Sequence, residues 1–312
     1  MGLFGRKKEN KGEPNSAAEA AMWFSKASQN LKLNQYGAAL ECFNKVTELD
    51  PSNPAAWHEK GRIYAILKKE AQSMNCYDKA IELRPDSAVY YHNKGDALVS
   101  FKKFDEADEC FEKALSLAPE DVIYLTSHAA MLAMAKKYRE ADEVMKKVCE
   151  IEPLAPEHWF NRANYLCEAG EFESAAAFYR TTVEIAPGHA VSQFNCGNCL
   201  SKIGKYEEAV FYYDKALKYE RSMTGAMNNK GLALSCLGKH DAAYDCFRRV
   251  LIALPKDADA WYNKGYELLM LERYSEAVNA FDCALSYADA DNRELIEKAR
   301  EKKQEAVSKN IG

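Results

Sequence analysis

The chain has 312 residues, 47% hydrophobic and 29% charged, with 42 Lys and Arg against 47 Asp and Glu. A formal net charge of −5 without a clustered Lys/Arg stripe excludes a broad nucleic-acid footprint, so no nucleic-acid partner is expected. No apolar run approaches the ~20 residues that span a bilayer, so no stable membrane insertion is expected either.

Residues 1–19 open with Met1, Gly2, Leu3, Phe4, Gly5, Arg6, Lys7 and Lys8. Basic residues with no apolar segment behind them do not form a secretory signal. Gly2 suggests myristoylation, but Arg6 stands where that motif wants Ser or Thr. The expectation for 1–19 is a flexible basic tail, with weak contact to a membrane surface as the alternative.

From residue 20 a period of 34 residues gives eight units without an insertion: 20–53, 54–87, 88–121, 122–155, 156–189, 190–223, 224–257 and 258–291. Position 4 carries Trp23, Trp57, Tyr91, Leu125, Trp159, Gln193, Met227 and Trp261. Position 8 is always small, from Ala27 and Gly61 to Gly231 and Gly265. Position 20 is Ala in every unit except for Ser73, and position 24 is large, as in Phe43, Tyr77, Tyr179 and Tyr213. Position 32 is Pro except at Arg221 and Asp289.

Positions 4, 8 and 11 share one face of a first helix, and positions 20, 24 and 27 share one face of a second. Small residues at 8 and 20 let the two backbones approach, while large side chains at 4 and 24 fill the space beside them. Gly170, Gly204 and Gly238 suit the turn between the helices, and Pro at 32 ends the second. Each hairpin leaves an apolar side, so neighbours must stack to cover it. Around 220–225 the missing Pro leaves two readings open, a hinge or a helix that runs on. Residues 292–312 read as an amphipathic capping helix and tail, with Leu295, Ile296 and Ala299 over the open end of the last unit.

These residues closely resemble the tetratricopeptide repeat (TPR) family over about seven-eighths of the chain. The resemblance implies an all-α fold, a right-handed α-solenoid superhelix with a concave groove lined by the first helix of each unit. In that architecture positions 2, 5, 6, 9, 12 and 13 face the groove. Position 6 supplies Asn93, Asn161, Asn195, Asn229 and Asn263; position 9 supplies Asn164, Asn198 and Tyr266. Position 5 adds His58, His92, Phe160, Phe194, Asn228 and Tyr262. An Asn amide both donates and accepts, so a row of them can match the backbone of an extended peptide. That row is similar to the asparagine ladder of some TPR proteins that hold extended polypeptides. The competing reading leaves the amides to helix geometry and solvent. The basic clamp by which other TPR domains take chaperone C-termini is missing, because no position 5 is Lys and no position 2 or 6 is Lys or Arg.

Cys196 and Cys199 form a CxxC inside a first helix, away from a helix N-terminus that would activate a thiol. No nearby Cys/His set completes a zinc site, so packing is the expected use and no metal or cofactor is expected. Cys42, Cys76 and Cys110 recur 34 residues apart as small hydrophobes, consistent with a reducing cytoplasm. His58 and His92, at position 5 of adjacent units, are expected side by side in the groove. No nucleophile–base pair or phosphate loop appears. The expected function is a non-catalytic scaffold that binds an extended peptide or a helix of a protein partner in its concave groove. The alternatives are a self-assembling structural scaffold and a metal- or redox-responsive switch through Cys196 and Cys199.

Overall fold

The computed structural model describes residues 13–311, and among them are 17 helices and no strand. The Gly2 and Arg6 reading lies outside the described residues. The chain forms two compact units, Met1–Ile151 and Glu152–Gly312. In the first, α1 (Glu13–Lys32) packs on α2 (Tyr36–Leu49), α3 (Pro54–Ile66) on α4 (Glu70–Leu83), α5 (Ala88–Ser100) on α6 (Phe104–Leu117), and α7 (Val122–Met134) on α8 (Tyr138–Ile151). In the second, α9 (Pro156–Glu168) packs on α10 (Phe172–Ile185), α11 (Ala190–Lys202) on α12 (Tyr206–Tyr219), α13 (Thr224–Cys236) on α14 (His240–Ala253), and α15 (Ala258–Met270) on α16 (Tyr274–Tyr287). Helix α17 (Arg293–Ile311) lies against α16 and α15. None of these helices is long and apolar enough to cross a membrane.

The first helix starts at Glu13, before the first repeat boundary. Ala17, Ala18, Ala20 and Ala21 are strong helix formers, and Ala20 is buried, so the helical run extends backwards.

Every hairpin turns in the same way. Asn34, Lys68, Lys102, Lys136, Gly170, Gly204, Gly238 and Glu272 all have φ between 56° and 80°. All eight occupy position 15. The following amide then reaches back across the turn, as from Lys137 N to Leu132 O at 2.8 Å and from Lys205 N to Leu200 O at 2.9 Å. This is the bond that satisfies a helix's last carbonyls when the next residue is left-handed. Only three of the eight are Gly, so the turn was half hidden in the sequence.

The small residue at position 8 meets the large one at position 24. A Cβ on Gly197 would lie 2.6 Å from the Tyr213 ring, and one on Gly231 would lie 2.8 Å from Phe247. Tyr213 and Phe247 are fully buried, each contributing roughly 1.5–3 kcal/mol by leaving water. At position 20, Ser73 replaces Ala by donating its hydroxyl to Gly61 O at 2.8 Å. Position 4 is tied to the preceding linker: Trp57, Trp159 and Trp261 donate Nε1–H to the carbonyls of Pro51, Pro153 and Pro255, each at 2.9 Å. Gln193 does the same to Pro187 at 2.7 Å, which explains an amide where aromatic rings recur.

Between α12 and α13 the chain leaves the helix at Glu220 and re-enters it at Thr224. The connection has the same length as that between α2 and α3, so helix α12 does not run on through Arg221. At the C-terminus Leu295, Ala299 and Ala306 of α17 are buried. Lys303 pairs with Asp282 of α16 at 2.6 Å, which fixes the cap along its edge.

Candidate functional site

In the second unit the amides of the first helices are joined to buried tyrosines. The Tyr179 hydroxyl, from α10, donates to Asn164 Oδ1 on α9 at 2.6 Å, and Asn195 Nδ2 on α11 donates to the same hydroxyl at 3.4 Å. One repeat later, the Tyr213 hydroxyl donates to Asn198 Oδ1 at 2.9 Å, and Asn229 Nδ2 on α13 donates to that oxygen at 2.8 Å. The pattern pairs position 24 with position 9 of its own hairpin and position 6 of the next. Burial pushes the Tyr213 phenol up to about 12 and raises Tyr179 as well, so both remain hydroxyl donors at neutral pH.

Above Tyr213 lies an open depression of about 460 Å³ lined by Asn198, Ser201, Lys202, Asn229 and Leu232. In the first unit a depression of about 410 Å³ lies above Tyr77, lined by residues including Arg62, Asn93, Asp96 and Ser100. The two share position 24 below, positions 9, 12 and 13 of one first helix, and positions 6 and 9 of the next.

The other candidates are placed less uniformly. Phe160 and Phe194 are half-buried and pack against the core, with ring centroids 5.9 Å from Tyr179 and 6.1 Å from Tyr213. Tyr262 leans on Phe281 at 5.8 Å. Asn228 Nδ2 donates to Asn229 Oδ1 at 3.3 Å. Asn161, Asn263 and Tyr266 are partly exposed, and their side chains make no hydrogen bond among the described residues.

His58 and His92 do not lie side by side. Both are 7% exposed, and Asn93 stands between them. Asn93 Nδ2 reaches His58 Nε2 at 2.7 Å, Asn93 Oδ1 reaches His92 Nδ1 at 3.3 Å, and Ser127 Oγ reaches His92 Nε2 at 3.0 Å. With Asn93 Nδ2 donating to His58 Nε2, Asn93 Oδ1 is left to accept from His92 Nδ1–H. The His58 ring lies tilted at 4.8 Å from Tyr90, and His92 stacks at 4.5 Å on Tyr124. The sequence missed Ser127 because it differs from the Asn at the equivalent place in other units.

The CxxC thiols are not paired with each other. Cys196 is fully buried and points its thiol at Ala176 O, 3.6 Å away, whereas Cys199 donates to Cys167 Sγ at 3.7 Å. Cys236 is exposed. Among the described residues, no three His, Cys, Asp or Glu side chains gather as a metal site.

No curated protein matches the chain. Family models described as tetratricopeptide repeat match residues 20–53, 54–87, 88–121, 154–221 and 231–293. Among solved structures, YrrB, titled a TPR protein with an unusual peptide-binding site, is 23% identical with a TM-score of 0.51. That match covers 61% of this chain and 98% of YrrB. MamA is 20% identical, with a TM-score of 0.51 over 55% of this chain and 94% of its own. The pilF protein of Pseudomonas aeruginosa is 17% identical, with a TM-score of 0.50 over 68% and 96%. At these identities the structures speak for the fold alone, while the family models span most of the repeat region. The chain belongs to the tetratricopeptide repeat family.

Proposed function

We propose that the chain is a non-catalytic scaffold whose second unit holds an extended segment of a partner protein along the first helices α9, α11, α13 and α15. Repeats of this family support protein–protein interaction and are generally non-catalytic modules. In this reading the repeats run 20–53 through 258–291, with 292–312 as a cap. The binding wall comprises Phe160, Asn161, Asn164, Phe194, Asn195, Asn198, Asn228, Asn229, Tyr262, Asn263 and Tyr266. Asn93 plays the same part in the first unit. The protein acts in the cytoplasm, on partners other than the chaperone tails that a basic clamp would take.

The observation that carries this reading is the depression over Tyr213, with two amides at its rim and a repeat-equivalent depression over Tyr77. Asn198 Oδ1 is occupied from inside, but its Nδ2 donor remains, and Asn161 and Asn263 keep both functions. The tyrosines therefore act as props that hold amides in fixed orientations. At about 0.5–1.5 kcal/mol net per hydrogen bond, several such contacts plus ring packing reach roughly micromolar affinity. YrrB, similar in fold, is a TPR protein with an unusual peptide-binding site.

Selection of peptides from a random library on the immobilised full chain tests this reading. Selected peptides should lose affinity for the Asn161→Ala/Asn263→Ala variant, in which no internal bond is disturbed. Equal affinity for the variant and the parent would count against it.

A further inference from the structure

We propose that Cys167 and Cys199 form a peroxide-oxidisable dithiol, a modification site whose disulfide ties α9 to α11. The two sulfurs are 3.7 Å apart and lie on the first helices of adjacent hairpins. Cys167 is partly exposed and can meet a small oxidant, while Cys199 is 1% exposed and held against it as a resolving thiol. The Cys199 S–H donates to Cys167, which lowers the Cys167 thiol to about 7 against the opposing effect of burial. The same bond raises Cys199. Cys167 is thus the sulfur placed to meet peroxide and Cys199 the partner held behind it, the division of labour that peroxide chemistry needs.

The oxidant is a hydroperoxide, with hydrogen peroxide the simplest. The Cys167 thiolate attacks one peroxide oxygen, forming S–O and breaking O–O, and hydroxide leaves. Cys199 then attacks that sulfur, forming S–S and breaking S–O. Its thiol proton leaves with the departing oxygen as water, and the hydroxide takes up the proton that Cys167 lost on ionising, so two thiols are oxidised, one peroxide is reduced and two waters form. The sulfurs close from 3.7 Å to the ~2.05 Å of a disulfide, which draws α9 and α11 together. Cys167 lies one turn beyond Asn164, and Cys199 lies one turn beyond Asn195. The bridge therefore forms beside the Tyr179 network. The chemistry stands whether or not that wall holds a peptide.

The CxxC pairing of Cys196 with Cys199 does not compete geometrically. Cys196 is fully buried with its thiol aimed at Ala176 O, and burial pushes it up to about 12.

The test treats the reduced full chain with hydrogen peroxide, blocks remaining thiols, and maps tryptic peptides by mass spectrometry. Trypsin separates residues 163–180, which hold Cys167, from 181–202, which hold Cys196 and Cys199. A linked pair of these peptides, lighter by two hydrogens and separated by dithiothreitol, is expected in the parent and in Cys196→Ser. It should vanish in Cys199→Ser and in Cys167→Ser, each checked for an unchanged circular dichroism spectrum before treatment. No linked pair in the parent, or one that survives in Cys199→Ser, overturns the proposal.

Discussion

The Tyr179 hydroxyl donates to Asn164 Oδ1 at 2.6 Å, so the side chain that fills the core of one hairpin also sets an amide on its first helix. Replacing Tyr179 with Phe keeps the ring and removes the bond. The loss should be about 0.5–1.5 kcal/mol, read as a lower urea midpoint. An unchanged midpoint would mean that the hydroxyl does not restrain Asn164.

Close approach at position 8 gives graded effects of Gly→Ala. At Gly197 the new methyl would meet the Tyr213 ring at 2.6 Å, and overpacking of roughly 1–3 kcal/mol outweighs a helix-propensity gain of about 1 kcal/mol. At Gly61 the nearest ring atom is 3.1 Å away, so the two effects should nearly cancel. Gly37, at position 18 on α2, has nothing within 4 Å and should become more stable. Thermal midpoints that do not follow the order Gly197, Gly61, Gly37 would contradict this account.

Lys136 sits at φ 62° in its hairpin turn, where an L side chain costs roughly 1–2 kcal/mol. Lys136→Gly should therefore raise stability by up to about 1 kcal/mol, because the added freedom of the unfolded chain offsets part of the relief. Gly204→Ala, at φ 76°, should lower it. Denaturant titration of both variants reads the two signs.

Glu267 is 1% exposed and meets His240 Nδ1 at 2.7 Å. Removing the ring in His240→Ala leaves a buried carboxylate with its partner gone, at a cost of roughly 1.5–3 kcal/mol. The double variant His240→Ala/Glu267→Leu should recover much of that loss, since apolar packing can replace a buried polar pair. A double variant no better than the single one would show that the pair is not the cause.

Helix type and pairing were legible because positions 8, 20, 24 and 32 repeat without an insertion, and the period of a stacked hairpin allows little else. What the sequence hid was the linkage between positions. Trp159 and Pro153 each stand out as repeat residues, yet nothing in the string says that one donates to the other. Tyr179 and Tyr213 read as core rings equivalent to Phe43, and only their hydroxyl partners distinguish them. Cys199 read as half of a CxxC, although residues three apart on a helix can point to different neighbours; its contact is Cys167, 32 residues away. Lys68, Lys102 and Lys136 concealed the left-handed turn because their composition carries no signal for it.

The most direct measurement uses backbone N-methylation of a selected peptide, with affinity for the full chain read by calorimetry. If Asn161, Asn195, Asn198, Asn229 and Asn263 read the partner's main chain, methylating alternate amides should weaken binding about tenfold or more, close to 1.4 kcal/mol. Alanine replacement of single peptide side chains should then cost less. Affinity that ignores N-methylation and follows the side chains alone would contradict the amide wall.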